Sequence, residues 1–252
     1  MAAEGKTIDA LGQFELVTVF GPIGGAVGFT QSNAHMLLAV GIITAMVMFG
    51  MASRALIPGR MQSAAEGAYE FVADLAKGQI GEHEGRRFVP FVFSLFMFVL
   101  MGNLLGLLPY AFTFTSHIAV TFALALIVFV LITAVALVLH GKKFFGYFFP
   151  EGAPLWLAPI IIPVEVISYL SRPVSLSIRL FANMTAGHVL LKVFATFVVM
   201  LGGLGAVGTF AAVLPLAVNV LLIGFEILVA CLQAYVFAML TSIYLHDAVH
   251  LH

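Results

Sequence analysis

Arg179 stands inside the apolar run Ile162 to Phe197, in the company of Glu165, Arg172, His188 and Lys192, and Glu226 lies in the next apolar run. A guanidinium at bilayer depth costs upward of about 2.5 kcal/mol, so an intramembrane arginine faces water or a partner and marks an ion path. Pro173, Ser175, Ser177, Asn183 and Thr185 surround it with polar or backbone-opening residues. The plainer alternative is a side chain that snorkels to a lipid headgroup or pairs with Glu165. Glu165, Arg172 and Arg179 recur every seven residues, and Asn219, Glu226 and Gln233 repeat that spacing. At 100° per residue each such step drifts by only about 20°, so each set follows one helix face. Two polar stripes then face some common wet or charged surface. For the amides alone, interhelical hydrogen bonding is the competing reading.

The elements that carry these residues must be membrane helices. Of 252 residues, 62% are hydrophobic and 9% charged, too little polar surface to cover a soluble globule of this length. The runs are apolar all round rather than alternating, which favours helices over a closed barrel. A net charge of −1 argues against a nucleic-acid partner. Cys231 is the single cysteine, so no intrachain disulfide can form. Glu4, Asp9 and Glu15 against Lys6 give the N-terminus the wrong charge for a signal peptide.

Along the chain, residues 1–33 form an outer-side segment, and three spans are expected at Ala34–Leu56, Phe88–Leu108 and Ile118–Leu139. Between the first two, near 61–80, Ala64, Ala68, Phe71, Leu75 and Gly78 oppose Gln62, Glu66, Glu70 and Asp74, the pattern of a surface amphipathic helix. A solvated linker is the alternative there. Residues 151–252 form a hairpin, with Pro150, Pro154, Pro159 and Pro163 breaking up its approach. Its arms, Val164–Leu201 and Val207–Leu245, exceed one perpendicular crossing and so must tilt, kink or lie partly along the plane, and a tilted helical hairpin is expected. The basic residues place the first-to-second loop and the end of the third span in the cytoplasm, which puts the N-terminus outside and the C-terminus inside after five crossings.

Gly203, Gly205 and Gly208 satisfy G-x-G-x-x-G, but no parallel sheet or crossover helix flanks them, so a dinucleotide site is set aside. The chain has neither a G-x-x-x-x-G-K-[ST] loop nor an H-E-x-x-H helix. His246, His250 and His252 are read as a histidine-rich tail rather than a metal site. Neither cofactor nor metal is expected. An unrelated secondary transporter would show internal repeat symmetry, which the halves lack. A haem protein would need paired axial ligands, for which His35 and His117 are the sole candidates.

The segment Pro173-Val174-Ser175-Leu176-Ser177-Ile178-Arg179-Leu180-Phe181-Ala182-Asn183-Met184-Thr185-Ala186-Gly187-His188 resembles subunit a of the F-type ATP synthases. So do Asn103-Leu104-Leu105-Gly106-Leu107-Leu108-Pro109 and Leu232-Gln233-Ala234-Tyr235-Val236-Phe237, so that the likeness covers the whole topology. The resemblance implies a proton-conducting subunit that is not catalytic alone, in a bacterial inner membrane. Its implied partners are the c-subunit ring, peripheral-stalk b-type subunits, the other synthase subunits and membrane lipid. Arg179 would hold a ring carboxylate ionised between two offset half-channels and block a direct leak between them. Asn183 and Gln233 would support that site, with Glu226 and His188 serving the outer half-channel. Glu165, Ser168, Tyr169 and Ser175 would serve the inner one. Many bacterial relatives carry the acid where His188 stands and a histidine where Glu226 stands, so the pair is exchanged in this chain. Roles for Lys192 and the C-terminal histidines do not follow from the resemblance.

Overall fold

A computed structural model describes residues 18–23, 27–51, 59–108, 111–149 and 155–250. Two short antiparallel strands, β1 (Thr18–Ile23) and β2 (Val27–Thr30), precede the helices. The sequence reading anticipated no strand there, because the pair is short and irregular, with register shifts along it. Among the described residues the remaining long elements are helices: α1 (Gln31–Met51), α2 (Arg60–Ile80), α3 (Glu82–Gly106), α4 (Ile118–His140), α5 (Ala158–Gly202) and α6 (Ala206–Val249). Among the described residues, five helices, all but α2, are long and apolar enough to cross a membrane, so the all-α integral membrane fold is the one observed. Val207 and Phe210 are 85% and 84% exposed, a degree of apolar exposure that lipid or a protein partner must cover.

Lipid tails are as apolar as leucine, so close packing and polar contacts must hold such a bundle together. α4 buries Thr121, Ala125, Val128, Ile132 and Ala136, a stripe of three- and four-residue steps. α5 meets the core with Leu176, Leu180 and Met184. α6 answers with Ala230, Ala234 and Ala238, all 0% exposed, whose small side chains let backbones approach closely. Asn103, equally buried on α3, reaches across to the carbonyl of Ala230 at 3.4 Å.

α2 buries a face that only partly overlaps the one anticipated: Ala65, Val72, Ala73, Ala76 and Ile80 turn inward and Ala68 and Leu75 are half-buried against the same core, while Ala64 and Gly78 are exposed and Phe71 is 49% exposed. Close approach to α3 selects alanines over a phenylalanine. α2 turns into α3 through Gly81 alone, at φ +113°, a backbone angle that costs a residue with a Cβ more than glycine. Gly205, at φ +84°, sits in the turn between α5 and α6. Pro159 lies in the first turn of α5, where its missing N–H costs nothing, and Pro163 and Pro173 are carried inside the helix. Thus the anticipated interruption at Pro159 and Pro163 is not found; Pro150 and Pro154 lie outside the described residues. With 45 and 44 residues, α5 and α6 are about 66 to 68 Å long at 1.5 Å per residue, twice a hydrocarbon core of about 30 Å.

Candidate functional site

The face of α5 opposite its core stripe carries Val174, Ser175, Ile178, Arg179, Ala182 and Asn183, all exposed. Leu176, Leu180 and Met184, at 2%, 0% and 0% exposure, anchor the other side and so fix Arg179 outward. Among the described residues, neither Arg179 nor Glu165 has an ion-pair or hydrogen-bond partner, so the Arg179–Glu165 pair held open above does not form.

Arg172, placed by spacing on the same stripe, takes another environment. Its guanidinium donates to the Tyr147 hydroxyl at 2.7 Å, pairs with Asp247 at 3.3 Å, and lies over the rings of Tyr244, Tyr169 and Tyr147 at 4.8, 5.3 and 5.9 Å. Its long side chain reaches this cage from the edge of the α5 face that carries Arg179. Tyr169 belongs to that same cage, buried and bonded to Thr133 at 2.7 Å. The anticipated inner group is therefore divided: Ser168 and Ser175 are exposed on α5, Glu165 is half-buried, and Tyr169 turns into the bundle.

Farther along α5, Asn183 and His188, outside its seven-residue series, meet Gln233 and Glu226 of the α6 series. Asn183 donates to Gln233 Oε1 at 2.8 Å. His188 Nε2 lies 3.8 Å from Glu226 Oε1, with the two side chains 12% and 5% exposed. Gly187 makes this approach possible, since a Cβ there would run into the Glu226 carboxyl group. Neither carboxyl oxygen of Glu226 has a hydrogen-bond partner, nor does Gln233 Nε2. Buried carboxyl oxygens without protein partners call for water or a proton, and either suits a relay. Lys192 is half-buried one turn beyond His188.

A second set of polar residues escaped the sequence reading. After α3 the chain turns back into the bundle, and Phe112, Thr113, Phe114, Thr115 and Ser116 are all buried. Gly102 and Gly106 on α3 leave the room: a Cβ on the first would meet the Phe114 ring, and on the second Thr113. Thr113 Oγ1 lies 2.9 Å from His188 Nε2. Thr115 Oγ1 and His117 Nε2 are buried without partners, and burial holds His117 below the ordinary imidazole pKa. The signal was present as the polar run Thr113 to His117 just after a span, but nothing local marks a loop as buried. His35 accepts from the Phe112 amide at 3.2 Å and His117 stacks on the Phe112 ring, so neither is set as an axial haem ligand.

The fold and these residues define a multi-span membrane protein that keeps an unpaired cation and a paired acid and imidazole within its spans, the equipment of an ion conductor. Residues 34–246 match the model of the family described as ATP synthase A chain. The chain is similar to ATP synthase subunit a of Granulibacter bethesdensis, 65% identical over 253 positions covering 100% of both chains. It is similar to that of Acidiphilium cryptum, 58% identical over 99% of this chain and 100% of the relative. It is also similar to that of Rhodospirillum rubrum, 54% identical over 90% of this chain and 91% of the relative. The chain belongs to the F-type ATP synthase subunit a family, and is a proton-translocating, non-catalytic membrane subunit of that complex.

Proposed function

We propose that this subunit passes protons through two offset half-channels to and from carboxyl groups on a ring of c subunits, turning the ring as they pass. The observation that carries this reading is Arg179, exposed on α5 with no partner among the described residues, between two sets of titratable or polar groups. At 1.5 Å per residue, His188 lies about 14 Å along α5 on one side and Glu165 about 21 Å on the other. A ring carboxylate arriving at Arg179 would stay ionised beside the guanidinium, and would be neutralised by a proton once it moved into lipid. The same fixed positive charge repels a proton that would cross directly from one half-channel to the other.

In this reading His188 and Glu226 serve the outer half-channel, and Glu165, Ser168 and Ser175 the inner. Tyr169 acts there as the wall that holds Arg172. Asn183 and Gln233 keep α5 and α6 in register beside Arg179. The membrane is a bacterial inner membrane, with the N-terminus outside, the C-terminus in the cytoplasm, and b-type stalk subunits binding elsewhere on the chain. One charge crossing 100 mV is worth about 2.3 kcal/mol, so a force near 200 mV delivers roughly 4 to 5 kcal/mol per proton. Several protons together then suffice for ATP synthesis on other subunits. Arg179→Ala should abolish proton-driven ATP synthesis in an assembled complex, and Arg179→Lys should nearly do so, since an ammonium lacks the planar fork. An Arg179→Ala complex that still couples synthesis to a proton gradient would overturn the proposal.

A further inference from the structure

We propose that Thr113, on the buried α3–α4 loop, is a positioning residue for proton transfer through His188, a role that rests on the outer half-channel reading above. Thr113 is 6% exposed, and its hydroxyl has two neighbours, the Gly106 carbonyl at 3.2 Å and His188 Nε2 at 2.9 Å. The same Nε2 is the imidazole atom that lies 3.8 Å from Glu226 Oε1. One ring nitrogen therefore faces both the acid and the hydroxyl.

A hydroxyl offers one proton and two lone pairs, so it serves Nε2 in either protonation state. While Nε2 carries a proton, Thr113 accepts a hydrogen bond from it and donates one to the Gly106 carbonyl. Once an imidazolium, protonated on Nδ1 as well, has passed its Nε2 proton to the Glu226 carboxylate, a neutral ring remains and the Thr113 hydroxyl rotates to donate to the bare nitrogen. No bond to carbon changes, and the net effect is one proton moved from Nε2 to the carboxylate. A buried imidazole nitrogen left without a partner in either state would cost about 1 to 3 kcal/mol, and Thr113 removes that cost from both sides of the transfer.

The loop geometry supports the assignment. Ser116 donates to the Thr113 carbonyl at 2.6 Å and fixes the backbone that carries the hydroxyl. Gly106 leaves the volume that Thr113 fills. Beyond Thr113, the partnerless Thr115 Oγ1 and His117 Nε2 give water places to bind along the same loop.

ATP-driven proton pumping by the assembled complex in inverted membrane vesicles tests this. Thr113→Val keeps the shape and removes the hydroxyl, and should lower the pumping rate about tenfold. Thr113→Ser keeps the hydroxyl and should pump within about twofold of the parent. In a His188→Ala background, Thr113→Val should add no further loss, because the hydroxyl then has nothing to position. Gly106→Ala, whose methyl would displace Thr113, should reproduce the valine defect. A valine variant that pumps at the parent rate, or one equally harmful with and without His188, would overturn the proposal. Glu226→Gln separates the two levels. If it stops pumping while Thr113→Val does not, the half-channel stands and Thr113 loses its role; if it pumps normally, the half-channel reading itself fails.

Discussion

Replacing Arg172 with methionine removes a charge while keeping much of the apolar stem, and the geometry of the cage gives the size of the effect. The ion pair to Asp247 at 3.3 Å is the shortest charge contact, but Asp247 is 35% exposed, so water screens it to about 1 kcal/mol. The hydrogen bond to Tyr147 at 2.7 Å adds about 1 kcal/mol. Stacking on the three tyrosine rings, with Tyr244 nearest at 4.8 Å, adds about 1 kcal/mol more. The total of about 3 kcal/mol ties α5 to the end of α6 and to the 3₁₀ stretch Gly141–Phe148. Local opening of that stretch then becomes about a hundredfold more frequent. Hydrogen–deuterium exchange of the purified complex reads this directly: amides in 141–149 and 243–249 should exchange about a hundredfold faster in Arg172→Met. Arg172→Lys retains charge without the fork and should fall near tenfold. Exchange within threefold of the parent in the methionine variant would refute the reasoning and leave the cage an incidental contact.

Three further outcomes are expected. His188→Ala and Glu226→Gln should each slow proton pumping, whereas His188→Glu combined with Glu226→His should recover a good part of it, since the pair sits 3.8 Å apart and relays in either order; a double exchange no better than the single changes would count against a relay. Cysteine at Ile178, 48% exposed, or at the exposed Asn183 should cross-link to cysteines near the mid-membrane carboxyl of a c-ring. Absence of product across a scan from Ser175 to Gly187 in assembled complex would remove the rotor interface. Gly102→Ala should drive a methyl into the Phe114 ring and cost about 1 to 3 kcal/mol, lowering the yield of intact complex on native gels, and parent-level yield would show that the loop has room to shift.

The spans were legible because nothing but a membrane helix accommodates 20 apolar residues in succession, and α4 at Ile118–His140 starts where the sequence placed it. The meeting of Asn183 with Gln233 and of His188 with Glu226 was legible through the family resemblance alone, since Glu226 and Gln233 belong to the seven-residue series on α6 while Asn183 and His188 lie outside the one on α5. Arg172 takes a different environment because Tyr147, Tyr244 and Asp247 from other elements meet its long side chain, which a period count along α5 alone does not register. The inward face of α2 was misjudged because hydrophobicity ranks Phe71 above Ala65 and Ala76, whereas close helix contact ranks them by size. Thr113 and its loop were illegible for a third reason. Their burial depends on space left by Gly102 and Gly106 on α3 and on His188, which is 75 residues away in sequence.

That separation has a consequence for biogenesis. At roughly 5 to 20 residues per second on the ribosome, the 75 residues between Thr113 and His188 take about 4 to 15 s to make. During that interval α4 and the first part of α5 are made, and the hydroxyl of Thr113 lacks the imidazole it will later face. A polar loop is costly to hold in hydrocarbon without partners, so until residue 188 is made a place at the aqueous edge is the cheaper one for it. The polar contacts of one short loop are thus completed by a helix made after it.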